Sequence, residues 1–332
     1  MTQPAALVEL WRGDLLESQH WGHAVVCDGS GKIVEAWGDP EAVVYPRSSA
    51  KMIQALPLVT SGAAAKYGLG PEQLALASAS HSGGAIHVAG VAAWAEKLGL
   101  GESDWCCGPQ TPKDPAERKR MIRAEEKPSQ FHNNCSGKHA GFLTLSQHLG
   151  AGPDYTAVDH PVQQAVRAAF EEVTGEASDH IGLDGCSAPN FSTSMGAMAR
   201  AMAWYATAHL RADPQSQAAV QIRSAMMAHP DLVAGEGRAC TRLMRAMGGK
   251  GAVKTGAEGY FIAILPEQEL GVALKIADGA TRAAECAITA LLVRLGVLER
   301  DDPEAQAFIN APIQNWRGLQ CGVMRPAADL LA

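Results

Sequence analysis

Arg47-Ser48-Ser49-Ala50-Lys51 is a run whose residue types could carry a reaction. A serine hydroxyl is a weak nucleophile and needs a base within hydrogen-bond reach. Residues three apart share a helix face, so a helix starting here brings Ser48 and Lys51 together. A lysine accepts a proton once burial or a second cation favours its neutral amine, and Arg47 stands beside the pair. A plainer reading stays open: Ser48 or Ser49 as a helix N-cap, with Lys51 in solvent.

Two further segments extend the first. Lys254-Thr255-Gly256 falls on an expected C-terminal strand, and Ser80-His81-Ser82 lies between the two in sequence. Ser-x-x-Lys, a polar turn and a strand-borne Lys-Thr-Gly, in that order, is the arrangement of serine β-lactamases and penicillin-binding proteins. Their Ser-Asp-Asn is absent, and Ser80-His81-Ser82 could stand in for it. Taken singly, the pieces read equally as a polar turn and a surface strand lysine. Together they point to acyl transfer.

Asn133-Asn134-Cys135-Ser136-Gly137-Lys138-His139 is not a phosphate loop: His132 stands where the upstream glycine is required, and His139 replaces the Ser/Thr. Thiolates suit zinc, and Cys135 and His139 are spaced i, i+4. Cys186 and Cys240 are further thiols, but no Cys-x-x-Cys pair exists. Metal binding and free, buried thiols both remain open. The vicinal Cys106-Cys107 reads as structural.

The elements that must position these residues fall into three stretches. His23–Cys27 and Lys32–Trp37 read as a hairpin around the turn Asp28–Gly31. A helix is expected from Lys51 to Leu56, stopping before Gly62. Further helices are expected over Ile86–Leu98, Gly137–Leu149, Pro161–Val173, Met195–His209 and Gln217–Met227, with loops over Cys106–Pro115 and Gly182–Ser194. Strands return at Ala252–Gly256, Tyr260–Leu265 and Leu270–Ile276, followed by a helix over Thr281–Leu295 and an edge strand near Leu319–Met324. The expected class is α+β: one antiparallel sheet built from both chain ends (about 20–40 and 250–325), flanked by helices from a mostly helical part of about 48–248. A single domain over 1–332 is expected, since no repeat or linker divides the chain.

Composition narrows the partners. The 332 residues are 47% hydrophobic and 19% charged, enough for a full core, and the net charge of −7 excludes a basic nucleic-acid footprint. The best apolar stretch for a span, Ala287–Val293, is cut by Arg294, short of the roughly 18 residues a membrane crossing needs. The N-terminus shows no basic region followed by an apolar one, so a cytoplasmic location is expected. The eight cysteines are then expected free, metal-bound or catalytic rather than disulfide-bonded.

Seven segments in order resemble the bacterial asparaginase II family of the rhizobial type: Glu17-Ser-Gln-His20, Tyr45-Pro-Arg-Ser-Ser-Ala-Lys51, Ala79-Ser-His-Ser-Gly83, Asn133–His139, Asp159-His-Pro-Val-Gln163, Asp184-Gly-Cys186 and His229–Arg238. The resemblance implies a serine β-lactamase-like fold, a homodimer, and hydrolysis of L-asparagine to L-aspartate and ammonia. It implies two Ser/Lys tandems, here Ser48/Lys51 and Ser80/Lys254, and a Zn2+ site at Cys135, Lys138 and Cys186. His139 then becomes a polar group of the substrate pocket rather than a ligand. Asn134 and Asp184 are expected substrate contacts, with Arg47, or Arg238 as second choice, for the carboxylate. One departure is Ser49, where alanine is common in the family. The alternatives are a related serine hydrolase of another amide and a non-catalytic zinc or thiol protein.

Overall fold

The computed structural model describes residues 3–331. The chain divides into two compact units interleaved along the sequence. The first takes the stretch up to Ser49, Thr193–Thr207 and the stretch from Arg242; the second takes Ala50–Ser192 and Ala208–Thr241.

The first unit is built on an eight-stranded sheet: β1 (Ala5–Arg12), β2 (Leu15–Asp28), β3 (Ile33–Trp37), β4 (Ala252–Thr255), β5 (Tyr260–Leu265), β6 (Leu270–Ile276), β7 (Ala311–Gln314) and β8 (Gln320–Pro326). The order is β7-β8-β1-β2-β6-β5-β4, with β3 also pairing to β2, and all pairings are antiparallel. The 14-residue β2 makes this possible. One edge of it carries β1 and then β3, while residues 22–28 carry β6 on the other. This is the expected α+β class, with the sheet drawn from both chain ends.

Helices Met195–Ala206 and Thr281–Arg294 pack on the sheet. All six residues of β5 are buried, so both faces of the strand are covered. The alanine- and methionine-rich helix Met195–Ala206 lies so close that a Cβ on Gly271 would overlap the backbone of Ala199 and Ala203. Only glycine permits that approach.

Several sequence expectations are corrected here. The strand before the Gly13-Asp14 turn was missed altogether. The expected edge strand near 319–324 is β8, which lies inside the sheet; the true edge is β7, whose Pro312 suits an edge because it has no N–H for a further ladder. Neither Ser48 nor Ser49 caps a helix. They lie in the 3-10 turn Arg47–Ala50, and Ala50 precedes helix Lys51–Gln54 without a side-chain cap. The expected loop 182–194 contains three short strands, Ile181–Leu183, Pro189–Phe191 and Thr193–Ser194.

The second unit is mainly helical. Asp114, His160 and Asp213 each accept a backbone N–H at a helix start, each followed by proline at the first helical position. Gly99, Gly150 and Gly175 end helices in the left-handed conformation. Helix Ser136–Leu149 is buried from Ser136 through Ser146, so its polar groups must find partners inside the protein. Among the described residues, no helix is long and apolar enough to cross a membrane.

Candidate active site

Lys51 opens helix Lys51–Gln54 and is 1% exposed. Its amine reaches three acceptors: Ala79 O, Ser80 Oγ at 3.1 Å and Asn134 O at 3.4 Å. Two are carbonyls and can only accept. The third position faces a hydroxyl, which can meet either an ammonium N–H or the lone pair of a neutral amine. A proton can therefore pass between Lys51 and Ser80 without loss of the carbonyl bonds. The resemblance pairs Lys51 with Ser48 and Ser80 with Lys254; within the second unit, Lys51 is hydrogen-bonded to Ser80.

Ser80 is held by its backbone. Its N–H donates to Val233 O (2.9 Å), and the next N–H, of His81, donates to Asn134 O (3.2 Å). Cys135 ends this contact region as the residue before helix Ser136–Leu149, and its thiol donates to Asn134 Oδ1 at 3.1 Å. Arg238 is half-buried, and its N–H donates to Gly235 O at 3.3 Å.

One turn into that helix, Lys138 Nζ donates to Cys186 Sγ at 3.1 Å, both residues being buried. The neighbouring Cys135 and the Lys138 charge hold the Cys186 thiol far below its ordinary range, against the effect of burial. Cys135 itself is raised by Cys186 and by burial. Burial opposes the Lys138 charge, but Cys186, Cys135 and Asp184 outweigh it and raise its pKa. Asp184 is half-buried and also accepts the Gly185 N–H at 2.6 Å.

Two thiol sulfurs and an amine are donors that zinc takes once the Lys138 proton, held here by Cys186, leaves on binding. Among the described residues, no three His, Cys, Asp or Glu side chains are grouped to hold a metal by themselves. The implied set counts a lysine in place of the third, and Cys135, Lys138 and Cys186 do interact with one another. His139 is fully buried, and burial lowers its pKa to about 4, so the ring is neutral. Its Nδ1 lies 2.8 Å from the Tyr155 hydroxyl, which accepts the Cys106 N–H at 2.7 Å. The phenolic O–H needs an acceptor, and His139 Nδ1 supplies it. The proton of the ring then sits on Nε2, the nitrogen left to interact with Cys186, and an N–H cannot ligate a metal. The tautomer agrees with His139 as a non-ligand. Besides its bond to Tyr155, the ring interacts with Cys186.

In the first unit, Arg47 takes a left-handed backbone (φ 52°) and Ser48 is half-buried. Ser49 is not a spare hydroxyl. It is fully buried and donates to Lys254 O at 3.1 Å, tying the turn to β4. Lys254 is fully buried, and its Nζ donates to Thr255 O at 2.8 Å. A Cβ at Gly256 would come within 2.8 Å of Pro46 O and Ser49 Oγ, so the space beside this glycine is taken up by the serine-bearing turn. Sequence reasoning missed Tyr155, His81 and His87. Tyr155 carries no local signal, and of the two histidines only His81 falls within a motif.

A solved structure, that of Mglu in its native form, is similar in fold at a TM-score of 0.50 and 11% identity, covering 92% of this chain and 71% of that one. A beta-lactamase from Mycobacterium bovis aligns at a TM-score of 0.41 with 14% identity, over 82% of this chain and 93% of that one. The Bacillus subtilis glutaminase YbgJ, in covalent complex with 5-oxo-L-norleucine, aligns at 0.35 with 14% identity, over 80% and 85%. No curated protein sequence matches. The family model for L-asparaginase II matches residues 8–326, nearly the whole chain. The chain belongs to the L-asparaginase II family and is an amidohydrolase.

Proposed function

We propose that the protein hydrolyses L-asparagine to L-aspartate and ammonia by serine/lysine acyl transfer. Membership of the family supports the substrate, and the buried Lys51–Ser80 hydrogen bond supports the chemistry. Ser48 attacks the side-chain amide carbon, and Lys51, three residues on, takes its proton. Lys51 passes the proton to Ser80, which delivers it to the departing ammonia; water then releases aspartate from Ser48. Backbone N–H groups stabilise the oxyanion. Lys254, which the resemblance pairs with Ser80, helps that serine in the relay. Asn134 and Asp184 contact the substrate, Asp184 taking its ammonium, and Arg47 takes its carboxylate, with Arg238 as second choice.

Cys135, Lys138 and Cys186 would hold the zinc, which supplies a Lewis acid near the substrate when bound. His139 and Tyr155 orient Cys186 from behind. The homodimer belongs to the same proposal, on the resemblance alone.

The test is ammonia release from asparagine and glutamine by wild type, Ser48→Ala, Lys51→Ala and Ser80→Ala, with nitrocefin turnover alongside. Loss in all three variants supports the assignment. Full activity in both serine variants would overturn it, and nitrocefin turnover without asparaginase activity would move the substrate class to lactams.

A further inference from the structure

The Ser80 loop carries His81, and the first turn of the following helix, Ala85–Leu98, carries His87; the reaction uses neither. His81 and His87 are each 1% exposed, and their rings stack with centroids 4.7 Å apart at 10°. Both make the same pair of bonds in opposite directions. Gly83 N–H donates to His81 Nδ1 and Gly84 N–H to His87 Nδ1, each at 3.1 Å. On the far side, His87 Nε2 meets Asp231 O at 2.9 Å; a carbonyl only accepts, so this nitrogen carries the proton. His81 Nε2 meets Ser136 Oγ at 2.9 Å, and Ser136 itself donates to Phe131 O, so here too Nε2–H is the donor.

The two donors reach different neighbours. His81 reaches the start of helix Ser136–Leu149, and His87 reaches the short helix Pro230–Val233. That short helix supplies Val233 O, the acceptor of the Ser80 N–H. Its Pro230 O and the Gly235 O beyond it share the single O–H of buried Thr241, at 2.9 and 2.7 Å.

We infer that His81 and His87 form a stacked latch of positioning residues that fixes Ser80 against Lys51, by tying residues 80–84 to both neighbouring elements at once. The inference rests on the role given to Ser80 under Proposed function. Loss of either ring frees one N–H of the loop and one anchor, and the Ser80 hydroxyl drifts from the Lys51 amine. A displacement of about 1 Å is enough to cost on the order of 100-fold in rate.

Two measurements test it. Side-chain 15N NMR of the folded protein at neutral pH should find both rings neutral with the proton on Nε2; a protonated ring or an Nδ1–H tautomer in either would overturn the latch. A double-mutant cycle then reads the coupling. His87→Asn, which keeps an acceptor near Nδ1 but cannot reach Asp231, and His87→Gln should each lower kcat about 10- to 100-fold with little change in KM. In a Ser80→Ala background the same changes should have almost no further effect. An equal loss in both backgrounds, or wild-type kcat in folded His87 variants, rejects the inference. If Ser80→Ala is itself fully active, the reading of Ser80 fails, whereas the NMR result still tests the latch.

Discussion

Lys51 Nζ and Ser80 Oγ lie 3.1 Å apart, 29 residues distant in the chain and both buried. The contact makes Ser80 the neighbour into which a proton taken up by Lys51 can go. Lys51→Ala should lower kcat for ammonia release by about 100- to 10,000-fold, the usual range for a lost acid-base group. Lys51→Arg should not restore it, because a guanidinium does not give up its proton. Steady-state kinetics on variants with unchanged circular dichroism checks both outcomes.

Tyr155 decides which nitrogen of His139 is protonated. Tyr155→Phe removes the O–H donor and leaves the Cys106 N–H without its acceptor. Two effects should follow. Zinc affinity of the metal-free protein, measured by calorimetric titration, should weaken about 10- to 100-fold, as for other losses behind a ligand. Stability to urea should fall by about 1 kcal/mol from the part-buried N–H left without its acceptor. Unchanged zinc affinity would remove His139 and Tyr155 from the metal site.

The sheet was legible where apolar runs end in clear turns. Tyr260–Leu265 and Leu270–Ile276 are found as read, because six and seven apolar-rich residues flank Pro266–Glu269. The first strand was not read because Ala5–Arg12 does not alternate cleanly, yet Gly13-Asp14 is a two-residue hairpin turn in plain view, with Arg12 opposite Leu15. The Ser, Lys and Cys residues were legible as motifs. Their partners were not: that Lys51 bonds Ser80, or that Ser49 ties its turn to Lys254, depends on contacts between residues 29 and 205 positions apart. No local pattern encodes such distances.

Acid should weaken the fold from about pH 6.5 downward. Burial lowers the pKa of His87 against the opposing pull of its Asp231 O bond and of the Asp114 and Asp231 charges. In the unfolded chain the ring titrates near 6.5. Below that pH the unfolded state binds a proton that the folded ring refuses. The stabilisation is therefore complete above about pH 6.5 and is lost as pH falls, by up to about 1.4 kcal/mol per unit for one ring. His23 is lowered in the same direction, chiefly by burial, and adds to the slope. Urea midpoints between pH 7.5 and 5 should fall for the wild type and fall less for His87→Gln. Equal slopes would show that the folded His87 takes its proton as readily as the unfolded one.

Gly271 marks where helix Met195–Ala206 touches the sheet. A methyl group there would overlap Ala203 N and Ala199 O, both backbone atoms that cannot turn aside as a side chain would. Gly271→Ala must push the helix away from β6 and open the apolar contact beneath it. The expected cost is about 1–3 kcal/mol, as for other overpacked cores. Gly152→Ala is the control: nothing lies within 4 Å of its Cβ position, so the change should stay within about 0.5 kcal/mol. Comparing the two by thermal unfolding separates a steric demand at the helix–sheet contact from a general intolerance of lost glycine. If Gly271→Ala melts with the wild type, the helix does not lie as close to β6 as the structure has it.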